Sequence, residues 1–160
     1  MQKSVSAVIA SPLGPLVIKG SEKGVQSIAY GAVSSKASSS IPPELRSAVW
    51  ELRAYFQGKR LSHSLQFDLR GTMFQKKIWD RLRRIPAGHV TTYGDLARKA
   101  GFPGAARAVG SAMKKNPVPI LVPCHRVLPS GATRENPGSY NSGPAKKKWL
   151  LAHEESFAGS

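Results

Sequence analysis

Residues 92–115 read TYGDLARKAGFPGAARAVGSAMKK, and from them we predict the architecture of the second half of the chain. Thr92 opens a short helix that ends at Gly101, and a second helix follows over residues 105–115. Phe102-Pro103-Gly104 supplies the turn between them. Two short helices across a glycine-containing turn are typical of the helix-turn-helix motif, so we predict that motif here.

The second of these helices is unusual because most of its side chains are small. Arg107 is the one long side chain in its first half, among Gly104, Ala105, Ala106, Ala108, Gly110, Ser111 and Ala112. A recognition helix normally carries several long polar side chains into the major groove of DNA. A helix of small residues fits instead against the minor groove, about 6 Å wide, where one arginine can enter the base stack. Alternatively, the small residues only allow close packing between helices, and the pattern alone leaves both interpretations open.

The helices that flank this motif are also visible in the sequence. Thr72 and Gln75 fit a capping box at the start of a helix. Apolar side chains then recur at helical spacing: Phe74, Ile78, Leu82 and Ile85. A helix rich in Lys, Trp and Leu is predicted over residues 144–155. We therefore expect a mostly helical C-terminal domain over residues 72–155.

Residues 1–62 have a different pattern, which is typical of a small α/β domain. Short runs rich in Val, Ile and Ala predict strands over residues 4–10, 14–19 and 24–30. Pro42-Pro43 then opens a helix whose apolar residues recur at helical spacing: Leu45, Val49, Leu52 and Phe56. The predicted organisation is a two-domain α/β protein, with a linker over residues 63–71 and a tail over residues 156–160.

The chain is strongly basic, with 24 Lys and Arg against 9 Asp and Glu and a net charge of +15. Residues 71–160 carry 15 of the basic and 5 of the acidic groups. Such a potential favours polyanions such as nucleic acid, although a merely soluble basic surface is the alternative. No apolar run approaches the roughly 18 residues of a membrane span, and the start lacks a secretory signature. We expect no membrane association and a cytoplasmic location, near the nucleoid or in a eukaryotic nucleus.

The chain has one cysteine, Cys124, which excludes an internal disulfide and any multi-cysteine zinc site. Three prolines, Pro117, Pro119 and Pro123, stiffen the segment that leads to it. A thiol becomes a nucleophile as a thiolate, which needs nearby positive charge or a base, and His125 follows directly. Adjacent side chains rarely face each other, so we expect His125 to act through a water. The alternative is that Cys124 is simply a small buried apolar residue.

A carboxylate on the far nitrogen of His125 would fix its tautomer, as in a catalytic triad. Glu154 and Glu155, at the end of the last predicted helix, are the candidates. We expect neither a metal nor a cofactor, because a thiolate can accept a group by itself and form a stable thioether.

Several segments together resemble one protein family. Residues 116–120, Asn-Pro-Val-Pro-Ile, and residues 123–127, Pro-Cys-His-Arg-Val, closely resemble the active-site signature of the O6-alkylguanine-DNA alkyltransferases. Phe74-Gln75 and residues 88–93, 105–110 and 148–154 are also similar to the family, in the same order. The resemblance covers about residues 72–154. It implies a winged-helix-like C-terminal domain and, from layout alone, an N-terminal antiparallel sheet of ribonuclease-H-like topology.

The resemblance implies a role for each residue of a reaction centre. Cys124 accepts the alkyl group, His125 deprotonates it through a bridging water, and Glu154 orients His125. Tyr93 donates a proton toward N3 of the departing guanine. Asn116 organises the turn between the DNA-binding helix and the active-site segment.

The resemblance also implies a DNA-binding surface and a base pocket. Arg107 is the finger that fills the gap left by the rotated nucleotide, and the other expected DNA contacts are Thr92, Ala105, Ala106, Gly110, Lys114 and Arg126. The expected pocket residues are Met113, Pro119, Val127, Tyr140, Asn141 and Ser142. Asn141 stands where a serine is common and Ser142 where a glycine is common. Pocket size and alkyl preference are therefore open, whereas methyl transfer is not.

The implied activity is a suicide DNA repair reaction. One alkyl group moves from O6 of guanine, or from O4 of thymine, to Cys124 in duplex DNA, with base flipping through the minor groove. The expected partner is double-stranded DNA that contains O6-alkylguanine, and the protein is expected to be a monomer that can cooperate on DNA. The competing interpretations are a DNA-binding module without chemistry and a Cys-His-Glu hydrolase.

Overall fold

The computed structural model describes residues 3–62 and 64–157, and the chain divides into two compact units, Met1–Arg70 and Gly71–Ser160. Residue 63 of the predicted linker and residues 158–160 of the predicted tail lie outside the described residues. No helix among the described residues has the length and apolar character needed to cross a membrane.

The first unit contains an antiparallel sheet in the order β1-β2-β3, which confirms the expected small sheet. Its strands are β1 (Val5–Ile9), β2 (Leu16–Ser21) and β3 (Gly24–Tyr30). Ala7, Ile18 and Ile28 lie side by side across the three strands and are all buried. The alternation of apolar and polar residues thus gives the sheet one buried face.

A helix follows the sheet in the first unit. A 3-10 turn, Pro43–Leu45, leads into α1 (Arg46–Phe56), and Leu45, Val49 and Leu52 are buried as predicted. The fourth predicted position was wrong: Tyr55 is fully buried, whereas Phe56 is only half-buried and meets Tyr55 edge-to-face. Positions three and four residues after Leu52 both face the same side of a helix, so spacing alone does not choose between them.

Residues 66–68, which the sequence places in the linker, pair with β3. The Val25 N–H donates to the Gln66 carbonyl at 3.1 Å, and the Asp68 N–H donates to the Val25 carbonyl at 2.9 Å. Gly24 permits this close approach, because a Cβ there would lie 2.5 Å from the Gln66 oxygen. This part of the chain therefore belongs to the first unit.

The second unit is mostly helical, as expected. Its helices are α2 (Met73–Leu82), α3 (Tyr93–Lys99), α4 (Ala106–Lys114) and α5 (Pro144–Glu155). The predicted capping box is present at the start of α2, where the Gln75 N–H donates to Thr72 Oγ1 and the Thr72 N–H donates to Gln75 Oε1. Trp79 also joins the buried face of α2, and its indole N–H donates to the Ala112 carbonyl at 2.9 Å.

The predicted helix-turn-helix is formed by α3 and α4. Thr92 caps α3 by accepting a hydrogen bond from the Asp95 N–H at 3.2 Å. Gly101 and Gly104 have φ values of +93° and +82°, in the left-handed region that favours glycine. The two-residue strands β4 (Thr91–Thr92) and β5 (Val127–Leu128) pair in parallel, and this pairing brings the start of α3 beside the segment that contains Cys124.

Candidate active site

The segment before Cys124 is folded around the side chain of Asn116. Its Oδ1 accepts from the Val118 N–H at 3.0 Å, and its Nδ2 donates to the Val122 carbonyl at 2.8 Å. Between these contacts lies Ile120, the non-glycine residue with positive φ (76°) among the described residues. A β-branched residue rarely adopts that conformation, so the surrounding contacts must hold it there. Asn116 thus fixes the turn between α4 and the active-site segment.

Cys124 begins a 3-10 turn, Cys124–Arg126, and lines a pocket of about 320 Å³. A volume of this size suits a small-molecule group such as a purine base. The pocket is lined by residues from α3, α4 and the segment before α5: Tyr93, Arg107, Gly110, Ser111, Met113, Lys114, Ser139, Tyr140 and Asn141. Only 9% of the Cys124 surface is exposed, so the thiol lies in a pocket wall that is largely shielded from water.

Most of the residues expected to bind the base are brought together, and some are not. Met113, Tyr140 and Asn141 line the pocket, whereas Pro119, Val127 and Ser142 are not among its lining residues. Of the expected DNA contacts, Arg107, Gly110 and Lys114 reach the pocket, and Thr92, Ala105 and Ala106 do not. Ser111 and Ser139 also line it, although sequence reasoning did not select them.

His125 and Glu154 form a buried pair. His125 Nε2 lies 2.6 Å from Glu154 Oε2, and both side chains are almost completely buried. A carboxylate accepts hydrogen bonds, so Nε2 carries the proton and Nδ1 is left as an acceptor. Among the described residues, His125 Nδ1 is the buried side-chain atom without a protein hydrogen-bond partner. The imidazole is therefore held in the tautomer that a general base requires.

Arg126 was expected to contact DNA, and this assignment is corrected by the structure. Its guanidinium is buried and grips Glu154 with two hydrogen bonds, Nε to Oε1 and Nη2 to Oε2, both at 2.8 Å. Its Nη1 donates to the Ile85 carbonyl at 2.6 Å. The planar guanidinium matches a carboxylate in this two-point geometry. Arg126 therefore holds the carboxylate that holds His125.

The electrostatics of this trio keep Glu154 charged and His125 neutral. Burial alone would raise the pKa of Glu154, but the bonds and charges of His125 and Arg126 hold it well below its usual range. Burial lowers the pKa of His125, and Glu154 opposes that effect without reversing it. A neutral imidazole that can accept a proton is the result.

Burial also shifts the pKa values of two side chains that line the pocket, Cys124 and Tyr93. It raises the pKa of Cys124, while a hydrogen bond from Asn116 and the charge of Lys147 lower it in part. Burial, with the nearby Cys124, raises the pKa of Tyr93, so its hydroxyl keeps its proton at neutral pH. The pocket therefore combines a thiol that needs help to ionise with a phenol that can donate a proton.

Lys147, which sequence reasoning did not select, is buried on α5 with 1% of its surface exposed. Its Nζ donates to the carbonyl of the pocket residue Ser139 at 3.1 Å. Burial lowers the pKa of Lys147 to about 8, and Cys124 opposes that shift. The available signal was helical spacing, because Lys147 shares a face with the buried residues Leu150, Leu151 and Glu154.

No group of three or more His, Cys, Asp or Glu side chains suited to a metal ion occurs within residues 3–62 and 64–157.

Comparison with known proteins places this geometry in a family. The model for the 6-O-methylguanine DNA methyltransferase DNA-binding domain matches residues 73–156, and that for the ribonuclease-like domain of the same family matches residues 5–69. The methylated-DNA–protein-cysteine methyltransferase of Methanosarcina acetivorans is 38% identical over 157 residues, which cover 94% of this chain and 97% of that protein.

Two solved structures support the same family assignment. The O6-methylguanine methyltransferase of Mycobacterium tuberculosis superposes with a TM-score of 0.81 at 36% identity, covering 97% of this chain and 94% of that one. A structure of the Mycobacterium tuberculosis protein in complex with DNA gives a TM-score of 0.79 at 37% identity, covering 93% and 91%. With both of its units matched and its single cysteine in the pocket, the chain belongs to the 6-O-methylguanine DNA methyltransferase family.

Proposed function

We propose that this protein repairs DNA by moving an alkyl group from O6 of guanine to Sγ of Cys124, once per molecule. The observation that carries this proposal is the position of the sole cysteine. It lines a pocket of purine size bounded by α4 of the helix-turn-helix, next to a buried His-Glu-Arg relay. A hydrolase would also use such a relay, but the direct border with the DNA-binding helix favours a DNA substrate.

The reaction begins with the proton of Cys124. His125 Nδ1 takes it, through a bridging water, and the resulting imidazolium is stabilised by Glu154. The thiolate attacks the alkyl carbon, a C–S bond forms, and the electron pair of the broken C–O bond passes to the guanine. Tyr93 donates its proton to N3, so the base leaves neutral. The thioether is stable and no group in the site can cleave it, which makes the reaction stoichiometric.

The face of α4 supports entry through the minor groove. Val109, Ala112 and Met113 form its buried side. Gly110 lies on the open side, and a Cβ added there would meet nothing within 4 Å. Helix packing does not require a small residue on an open face. Gly110 therefore favours close approach of DNA over the alternative that the small residues of α4 serve only to pack helices together.

The depth of the pocket supports base flipping as part of this proposal. Cys124 is nearly buried, so an alkylated base can reach it only outside the duplex. Arg107 lines the same pocket, and its side chain is exposed, so it can fill the gap in the base stack.

O4 of thymine occupies the equivalent edge of a smaller base, and we include it as a substrate. We also retain the ribonuclease-H-like and winged-helix-like topologies, and action as a monomer that can cooperate on DNA, as parts of this proposal.

The test is a mass measurement after incubation with duplex DNA that contains O6-methylguanine. One methylene unit should be gained, on the peptide that contains Cys124, with at most one event per molecule. Undamaged duplex and Cys124→Ser are the controls, and neither should show the gain. Binding to the damaged duplex without a mass change would support a DNA-binding module without chemistry, and repeated turnover on an ester would support a hydrolase.

A further inference from the structure

Lys147 is a buried cation that the reaction described above does not use. It lies on α5 with 1% of its surface exposed, and none of the ion pairs formed by the described residues includes it. Its hydrogen bond goes to a neutral backbone carbonyl, that of Ser139. Burial of an ammonium without a counter-charge is costly, as the lowered pKa of Lys147, about 8, reflects, and a nearby anion would offset part of that cost.

The charged and titratable groups around the pocket leave one such anion. They are Tyr93 on α3, Arg107 and Lys114 on α4, Cys124, His125 and Arg126 on the 3-10 turn, and Lys147 and Glu154 on α5. Glu154 is already held by His125 and by both arms of Arg126. Arg107 and Lys114 are exposed, and solvent screens their charges. When Cys124 ionises, its thiolate is the anion that shares a nearly buried environment with Lys147.

We propose that Lys147 is a positioning residue whose buried ammonium stabilises the Cys124 thiolate and, through Ser139, holds one wall of the pocket. The inference rests on the proposed role of Cys124 as nucleophile. Lys147 Nζ lies 3.1 Å from the carbonyl of Ser139, and Ser139 and Cys124 line the same pocket, so the ammonium is held at the pocket wall that contains Cys124. In this buried environment the charge of Lys147 lowers the pKa of Cys124, and an ionised Cys124 raises the pKa of Lys147. At neutral pH the lysine remains mostly protonated, since burial lowers its pKa only to about 8.

The thiolate can be measured directly, because the chain has a single cysteine. Absorbance near 240 nm, titrated against pH with Cys124→Ser as background, reports Cys124 alone. Lys147→Met should raise the Cys124 pKa, and Lys147→Arg should restore most of the difference. Lys148→Met removes the same charge from an exposed position on α5 and should leave the titration unchanged. Coincident curves for Lys147→Met and the native protein would overturn the proposal.

The rate of alkyl transfer gives a second readout that a purely structural role would not change. With free benzylated guanine, Lys147→Met should be slowest relative to native protein at low pH, and the gap should narrow as pH rises and the thiolate forms. A constant ratio at every pH would count against the lysine. This assay needs no DNA.

If Lys147→Met does not fold, the native residue can be followed instead. The carbon resonances beside Lys147 Nζ should titrate at a lower pH in Cys124→Ser than in native protein, because the thiolate has been removed. An unchanged lysine titration would overturn the proposal without any substitution at 147. Neither titration depends on DNA repair, so a failed mass measurement with duplex DNA would reject the proposed function and leave the pairing of Cys124 and Lys147 standing.

Discussion

Arg126 shows how one side chain can support a proposed reaction centre that it does not touch. It fixes both oxygens of Glu154, and Glu154 in turn fixes the tautomer of His125. All three groups are buried, so each depends on the others for hydrogen bonds that water cannot supply. Removal of any one of them leaves an uncompensated polar group in the interior of the second unit.

Arg126→Met should therefore destabilise the protein by about 3–5 kcal/mol, the usual cost of breaking a buried ion pair from one side. Arg84→Met is the matched control. Arg84 pairs with Asp80 at 3.3 Å, but both side chains are about two-thirds exposed, and its loss should cost less than about 1 kcal/mol. Urea unfolding of the two variants measures the difference, and equal costs would show that the Arg126 pair is not coupled to the fold.

The same trio predicts that acid weakens the fold. Burial lowers the pKa of His125 in the folded protein. As pH falls below about 6.5, the histidine therefore takes up a proton in the unfolded chain before it does so in the folded protein, and the free energy of unfolding falls. The pKa of Glu154 is also lowered, so its contribution is lost as pH falls below about 4.3. The free energy of unfolding should thus decline on the acid side.

Urea midpoints between about pH 8 and pH 4 test this. His125→Asn should flatten the decline between about pH 7 and pH 5, whereas the same change at the exposed His89 should not. A native protein whose stability did not change over this interval would contradict the assignment of a buried, neutral His125.

At the scale of elements, the proposed function makes α4 the link between the duplex and the reaction. Its buried side packs within the second unit, while Arg107, Gly110 and Lys114 face the pocket. Asn116 follows α4 directly and fixes the turn that leads to Cys124. One helix and one loop thereby hold the proposed DNA-facing residues and the proposed nucleophile in a fixed relation.

Arg107→Ala should slow repair of O6-methylguanine in duplex DNA about tenfold or more, because in the proposed mechanism Arg107 fills the gap that the rotated nucleotide leaves in the base stack. Reaction with free benzylated guanine should change little, since no duplex has to open. Arg46→Ala, which removes an exposed arginine from α1 in the other unit, serves as the charge control. Equal losses on both substrates would instead place Arg107 in the chemistry of the pocket.

The elements that could be predicted are those whose signals are local. The Thr72–Gln75 capping box and the Gly101 and Gly104 turn depend on residues a few positions apart, and the sequence shows them directly. The roles of Arg126 and Lys147 depend on contacts 28 and 8 residues away, with Glu154 and Ser139. In the run Lys146-Lys147-Lys148, charge suggests a solvated surface, and only the packing of α5 turns the middle lysine inward.

In the molecule as a whole, alkylation changes both the packing of the site and one of its ionisable groups. Alkylation turns Cys124 into a neutral thioether and adds atoms to a nearly closed wall. Overpacking of this kind typically costs about 1–3 kcal/mol. Alkylation also removes the only thiol of the chain, the group that can ionise beside the Lys147 ammonium.

The alkylated protein should therefore melt at a lower temperature than the free protein, by roughly 2–12 °C for a chain of this length. Thermal scans of the native protein, its methylated form and its benzylated form measure this, with protein incubated on undamaged duplex as the control. The larger benzyl group should cause the greater loss if packing dominates. If the charge of Lys147 dominates, the two products should melt alike, and Lys147→Met should show a smaller drop on methylation. An unchanged melting temperature in both products would mean that the pocket accommodates the thioether without strain and that the ammonium has another source of compensation.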